Sequence, residues 1–280
     1  MSSVSPFQLS GGFSILVAVG KIHPSAVIDR NARLGYDCEV GPYSVVEEGA
    51  VIGRGCRLDS HVVIKRRTEI GEEVRVSSGA IIGGDPQDLA FDPETVSRVV
   101  VGEGSTLREG VTLHRSIKEG GVTAVGKGVF MMAFSHAGHD CRVGDGAVLA
   151  NGALLAGHVT LGARSFVGGG AGIHQHCRIG ECVMVGGNAA ITKDVPPGLS
   201  VADRNHLIGL NAVGLKRLGF SSEEINAFKT FSRRFYSGEG RIRERARRWL
   251  EEEPDMPELC RRFTSFFLEG TRGFVVPGRE

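Results

Sequence analysis

Three observations predict a mainly β protein, a left-handed parallel β-helix of hexapeptide repeats with a C-terminal α-helical domain. An aliphatic residue recurs at every sixth position, a small residue follows four places later, and the frame stops near a double proline. The aliphatic series starts at Ile22, Ile28, Leu34, Val40, Val46 and Ile52 and continues through Leu58, Ile64, Ile70, Val76 and Ile82. It resumes at Val101, Leu107 and Leu113, then runs from Val125 through Met131, Ala137 and Val143 to Ile191. Ala26, Ala32, Cys38, Ser44, Ala50 and Cys56 hold the small position, as do Cys141, Ala147, Ala153, Ala171, Cys177 and Ala189 later in the chain. A period of six fits neither the helix (3.6) nor the simple strand (2). It fits a triangular prism of short strands and corners, in which the aliphatic and the small residue point inward. The predicted left-handed winding is an exception to the usual right-handed crossover.

The elements follow in chain order. Residues 1–20 precede the frame and form an N-terminal extension. Its apolar stretch "FSILVAVG" (13–20) is too short to span a membrane and has no basic segment before it, since the first charge in the chain is Lys21. Residues 21–197 form the β-helix. Two departures from the frame, near 83–100 and 114–124, predict loops expelled from the prism, and loops on a rigid scaffold often carry binding groups. "VPPG" (195–198) breaks the chain, and 198–280 predicts the helical domain. Ser221 to Glu224 has capping-box spacing. "INAFKTFSRRFY" and "RIRERARRWLEEE" have an amphipathic pattern, and "ELCRRFTSFFLEG" ends in a glycine stop.

Composition narrows the function. Among 280 residues the net charge is +1, so no global charge calls for nucleic acid or membrane. From Lys216 to Arg248, ten Lys and Arg face four Glu, a local excess suited to an acidic partner or to phosphates, or simply to a solvated helical face. The six cysteines show no CxxC spacing, and four occupy the inward small position, as inert apolar groups in a reducing cytoplasm would.

"SHAGHD" (135–140) raises the question of chemistry. One coil is three hexads, so residues 18 apart stack at about the 4.8 Å strand spacing. His139, Gly157 and Gln175 then form one column, and Asp140, His158 and His176 the next, all at outward positions. His136 and His174 lie in the same coils. Such a wall can hold a metal, as stacked imidazoles hold zinc. It can equally present a general base beside its carboxylate, or be a solvated turn. The H-x2-H-Asp spacing favours the base over the H-x4-H of γ-type carbonic anhydrases.

The chain resembles the bacterial UDP-N-acetylglucosamine O-acyltransferases of lipid A synthesis. The resemblance rests on "GGDPQDL", "VTLHR", "SHAGHDCRVG", "LAGHVTLG", "GIHQHCRIGECVMVGG", "KDVPPG", "GLNAVGLKRLGFS" and "FFLEGTRG" and spans about residues 22–275. It implies transfer of an acyl group, 3-hydroxyacyl for many members, from acyl carrier protein to the 3-hydroxyl of UDP-N-acetylglucosamine by a cytoplasmic homotrimer. No cofactor or metal is implied. By the same resemblance His139 is the general base, Asp140 its partner and the Gly157 N–H the oxyanion donor. Asp88, His136, His158, His174 and Gln175 line the sugar and acyl site, Asn211 and Arg217 meet the nucleotide, and Gly187 ends the acyl groove. Two positions depart from the family: Ala90 stands where lysine is usual and Val213 where glutamate is usual, removing a cation and a nucleotide contact. The alternatives are the related N-acyltransferase, an acceptor with a 3-amino group and, more distantly, a metal-dependent hydratase of the γ-carbonic-anhydrase type.

Overall fold

The computed structural model describes residues 21–278. The predicted N-terminal extension, 1–20, lies outside the described residues. Nearly every hexad forms a short strand, such as Val45–Val46, Val51–Ile52 and Arg57–Leu58. Successive strands join three different sheets of nine, eight and ten strands, each strand pairing with the third one along. The pairing is parallel throughout, except that strand His206–Leu210 runs antiparallel to Leu199–Ala202 at one end. This is the predicted left-handed β-helix.

The inward residues explain why the sequence folds this way. Val46, Ile64, Ile82, Leu107, Leu113, Leu149 and Leu155 are all fully buried. Burying each aliphatic side chain contributes about 1.5–3 kcal/mol. Cys38, Cys56, Cys141 and Cys177 are buried in the small positions. Ser44 and Ser165 occupy that position too, and their hydroxyls donate to the Asp59 and Gly180 carbonyls at 2.6 and 2.7 Å, so no buried polar group is left unpaired there. Ile22 is 45 % exposed and Leu34 half-buried, because among the described residues the first coil has a neighbouring coil on one side only. A Cβ on Gly53 would lie 2.6 Å from the Gly71 carbonyl carbon, so glycine after the aliphatic residue lets adjacent coils close up.

The register is 18 residues where the frame is regular, as in Val45↔Val63. Two coils are longer. Ile81 pairs with Thr112, a step of 31, and Thr112 with His136, a step of 24. The extra residues leave the prism as one loop between strands Ile81–Gly84 and Arg98–Val101 and another between Thr112–His114 and Val122–Val125.

The chain enters its helical part through the strands Leu199–Ala202 and His206–Leu210, which keep buried Leu199 and Val201 on the prism. Four helices follow: α1 (Ala212–Arg217), α2 (Ser222–Ser237), α3 (Ile242–Glu252) and α4 (Glu258–Phe266). The Ser221–Glu224 capping box forms at the start of α2. Phe228, Phe235, Trp249, Phe263 and Phe267 make an aromatic core, with edge-on pairs such as Phe235–Trp249 at 5.2 Å. Arg178 fastens this unit to the prism. Its Nε donates to buried Asp194 at 2.9 Å, and its Nη2 to the Phe266 and Glu269 carbonyls at 2.8 and 2.7 Å.

Candidate active site

The corners of the prism place the reactive side chains. The fourth residue of most hexads takes a left-handed conformation, which suits glycine at Gly49, Gly55 and Gly152. At Asp140, His158 and His176 the same corner carries a side chain, with φ of 60°, 61° and 65°. Such a residue costs about 1–2 kcal/mol. Non-glycine corners also occur at Tyr43 and Arg67, so the strain alone does not mark the site.

The contacts do mark it. His139 Nδ1 lies 2.9 Å from Asp140 Oδ2. The Ser116 hydroxyl donates to Asp140 Oδ1 at 2.6 Å, and the Ile117 N–H to Oδ2 at 3.2 Å. The Asp140 N–H donates to Thr123 Oγ1 at 2.7 Å. Burial pushes the Asp140 carboxyl up, but the hydrogen bonds from Ser116, His139 and Ile117 outweigh it and hold the group below its usual value. An ionised carboxylate only accepts, so the proton shared with His139 belongs to Nδ1, and Nε2 is left as an acceptor.

That Nε2 faces Gly157. A Cβ built on Gly157 would fall 2.4 Å from Nε2 and 2.5 Å from Cε1. The Gly157 N–H has no acceptor among the described residues, as at the equivalent corners Tyr36 and Arg54. His158 lies edge-on to His139, with ring centres 4.9 Å apart, and stacks on His176 at 4.4 Å. Its Nε2 is 3.9 Å from Asp140 Oδ2. Burial lowers the His158 pKa against the pull of Asp140. His136 bonds through Nδ1 to the Thr112 hydroxyl at 2.8 Å. Burial, then the neighbouring His114, push its pKa down to about 4. Ligating atoms of His139, Asp140 and His158 lie within 4.8 Å of one another, so among the described residues these three could share a metal ion.

The other expected residues are spread more widely. His174 and Gln175 are exposed at the next coil, with His174 Nδ1 3.2 Å from the Gln175 carbonyl. Asp88 is exposed on the first loop, and its Oδ1 accepts the Ala90 N–H at 2.9 Å. Asn211 is the N-cap of α1: Oδ1 accepts the Gly214 N–H and Nδ2 donates to the Cys182 carbonyl, both at 2.9 Å. Its amide is therefore used at both ends by the fold. Arg217 is exposed in the last turn of α1. Gly187 is exposed, and a Cβ there would meet the Gly169 carbonyl oxygen at 3.4 Å. Part of the basic excess is structural. Arg245 is buried and its guanidinium caps the carbonyls of Phe235, Tyr236 and Gly240 at the end of α2.

Sequence reasoning missed Ser116, Ile117 and Thr123. It also missed Arg115, which is 1 % exposed and grips the first loop through Asp85 Oδ1 and the Pro93 carbonyl, both at 2.7 Å. The 24-residue step of the second long coil is the signal that places 116 against 140.

Residues 194–275 match the family model described as UDP-N-acetylglucosamine O-acyltransferase, domain 2. Two relatives named acyl-[acyl-carrier-protein]–UDP-N-acetylglucosamine O-acyltransferase are similar over nearly the whole chain. The protein from Sinorhizobium fredii is 36 % identical across 95 % of this chain and 98 % of its own. That from Janthinobacterium is 40 % identical across 91 % and 98 %. Among solved structures, the UDP-N-acetylglucosamine acyltransferase from Campylobacter jejuni superposes with a TM-score of 0.84 at 36 % identity, covering 91 % of this chain and 99 % of its own. Fold, length and sequence agree, and the chain belongs to the acyl-[acyl-carrier-protein]–UDP-N-acetylglucosamine O-acyltransferase family.

Proposed function

We propose that this protein transfers a 3-hydroxyacyl group from acyl carrier protein to the 3-hydroxyl of UDP-N-acetylglucosamine, the first step of lipid A synthesis, and works as a cytoplasmic homotrimer. The observation that carries the reading is the His139 ring, held through Nδ1 by an ionised Asp140 so that Nε2 points over Gly157. Nε2 takes the proton of the acceptor hydroxyl as its oxygen bonds to the thioester carbonyl carbon. Asp140 stabilises the imidazolium that forms. The Gly157 N–H donates to the developing oxyanion, an effect worth about 3–4 kcal/mol where such donors have been removed. The C–S bond then breaks, and the carrier thiol leaves with the proton returned from Nε2. Asp88, His136, His158, His174 and Gln175 line the sugar and acyl groups, Asn211 and Arg217 contact the nucleotide, and Gly187 closes the acyl groove.

Trimerisation supplies the dry cleft this chemistry needs. His139 and His158 are 17 % and 19 % exposed in a single chain. The sheet that carries His136 also presents Val27, Ile81 and Leu154 outward, all exposed. A neighbouring copy laid on this ridge would cover it and desolvate the histidines. Described residues contain no helix long and apolar enough to cross a membrane.

The test is a transfer assay with acyl carrier thioesters of several lengths against UDP-N-acetylglucosamine and its 3-amino analogue, together with metal analysis of the purified protein. Transfer to the hydroxyl acceptor without stoichiometric metal is the expected result. Preference for the amine reassigns the acceptor. Activity that follows bound zinc would instead assign the His139, Asp140 and His158 cluster to a metal.

A further inference from the structure

We propose that Ser116 is a positioning residue that fixes the rotamer of the Asp140 carboxylate and so completes a Ser116–Asp140–His139 chain; this rests on the reading of His139 as the base. Ser116 is fully buried. Its hydroxyl donates to Asp140 Oδ1 at 2.6 Å and accepts the Lys118 N–H at 3.0 Å. The oxygen is thus oriented from behind, with its proton directed at the carboxylate. The same loop supplies the Ile117 N–H to Oδ2, and Thr123 Oγ1, on the strand Val122–Val125 that ends the loop, accepts the Asp140 N–H. Asp140 is therefore held from three directions by the second loop and the strand that follows it, while its own backbone sits in the left-handed region.

The need for such a hold lies in the competition around Oδ2. His139 Nδ1 is 2.9 Å from Oδ2 and His158 Nε2 is 3.9 Å from the same atom. A small rotation of the carboxylate would exchange one imidazole for the other. An anchored Oδ1 opposes that rotation. The charge-assisted hydrogen bond from a buried hydroxyl is of the strong kind, and losing it also leaves Oδ1 without a donor in a half-buried site. The neighbouring Arg115 draws the first loop, with Asp88, toward the same point through Asp85 and the Pro93 carbonyl. Two adjacent buried residues thereby tie both expelled loops to the corner that carries the base.

A double-mutant cycle tests this. Ser116→Ala in the otherwise native trimer should lower kcat by about tenfold or more, with KM for both substrates within about twofold of wild type. In an Asp140→Ala background the same substitution should cost less than twofold, because Ser116 acts through the carboxylate. Ser116→Thr should restore turnover. Should the alanine variant not fold, Ser116→Cys keeps the side-chain size, weakens the donor and carries the same cycle. An equal loss in both backgrounds would show a loop-shape role and overturn the proposal. A second readout needs no turnover. The low-field proton resonance of the His139 Nδ1–H, assigned by its absence in His139→Gln, should persist in Ser116→Thr and shift or disappear in Ser116→Ala. If wild type transfers no acyl group, the function assigned above fails, and this resonance still decides on Ser116: an unchanged signal in Ser116→Ala refutes its role.

Discussion

Gly157→Ala puts the geometry of the base to a quantitative test. The backbone at this residue is not in the left-handed region, so alanine is conformationally allowed. The added methyl would lie 2.4 Å from His139 Nε2 and 2.5 Å from Cε1. An ordinary contact is about 3.5 Å, so the ring must retreat by about 1 Å. What must move is a side chain and not backbone, so the coil survives. The cost to the fold is part of the His139–Asp140 bond, offset by the lower entropy of alanine in the unfolded chain, about 0.4–1 kcal/mol. The net change in stability should stay within about 2 kcal/mol. A displacement of about 1 Å in a reacting group costs on the order of 10²-fold in rate, or about 2.7 kcal/mol. Turnover at saturating donor and acceptor, with thermal unfolding as the control, checks this. A folded Gly157→Ala protein working within about threefold of wild type would show that the His139 ring need not occupy this position, and would refute the reasoning.

Four further outcomes are expected. His139→Ala should keep its assembly and lose about 10²–10⁴-fold in turnover, with a smaller loss for Asp140→Asn; a loss below about tenfold would place the base elsewhere. Gly187→Met, which the structure admits with only a 3.4 Å contact to the Gly169 carbonyl, should shift donor preference toward shorter chains in competition assays, since each excluded methylene forfeits about 0.8 kcal/mol of burial. His136 has a folded pKa of about 4 against about 6.5 unfolded. The unfolded chain therefore binds the proton first as pH falls, and stability is complete above pH 6.5 and lost between there and pH 4, by about 2–3 kcal/mol per chain. Denaturant unfolding of His136→Asn should show a flatter pH dependence over that window. Light scattering should give three chains per particle; fully active monomers would remove the intersubunit cleft from the account.

The fold was legible because its signal is redundant. Ile52, Leu58, Ile64 and Ile70 each repeat the same instruction, and each is buried. The stacking of His139 on Gly157 and of His158 on His176 followed from counting 18. The count fails across the loops, where the steps are 31 and 24. Ser116 stands 24 residues before Asp140 and so falls outside any 18-residue column, although it makes the shortest contact to that carboxylate. The capping role of Asn211 was hidden for a different reason. An asparagine before a short helix reads the same whether or not its Oδ1 also accepts the Gly214 N–H, and spacing alone does not reveal that role.

The expelled loops carry a consequence for how this molecule can change length. Around the prism axis, angular position is counted in hexads, and each hexad advances the chain by one of three faces. Adding or removing a whole coil preserves the bearing of everything downstream, whereas adding or removing one hexad inside the prism turns every later side chain by a third of a revolution. The second loop has six extra residues, one hexad's worth, yet His136 still sits directly on Thr112 and beneath Leu154, because those residues leave at a corner and add nothing to the winding. Length is thus quantised along the prism and continuous in the loops. New recognition elements can be grafted at a corner without changing the azimuth of the histidine wall.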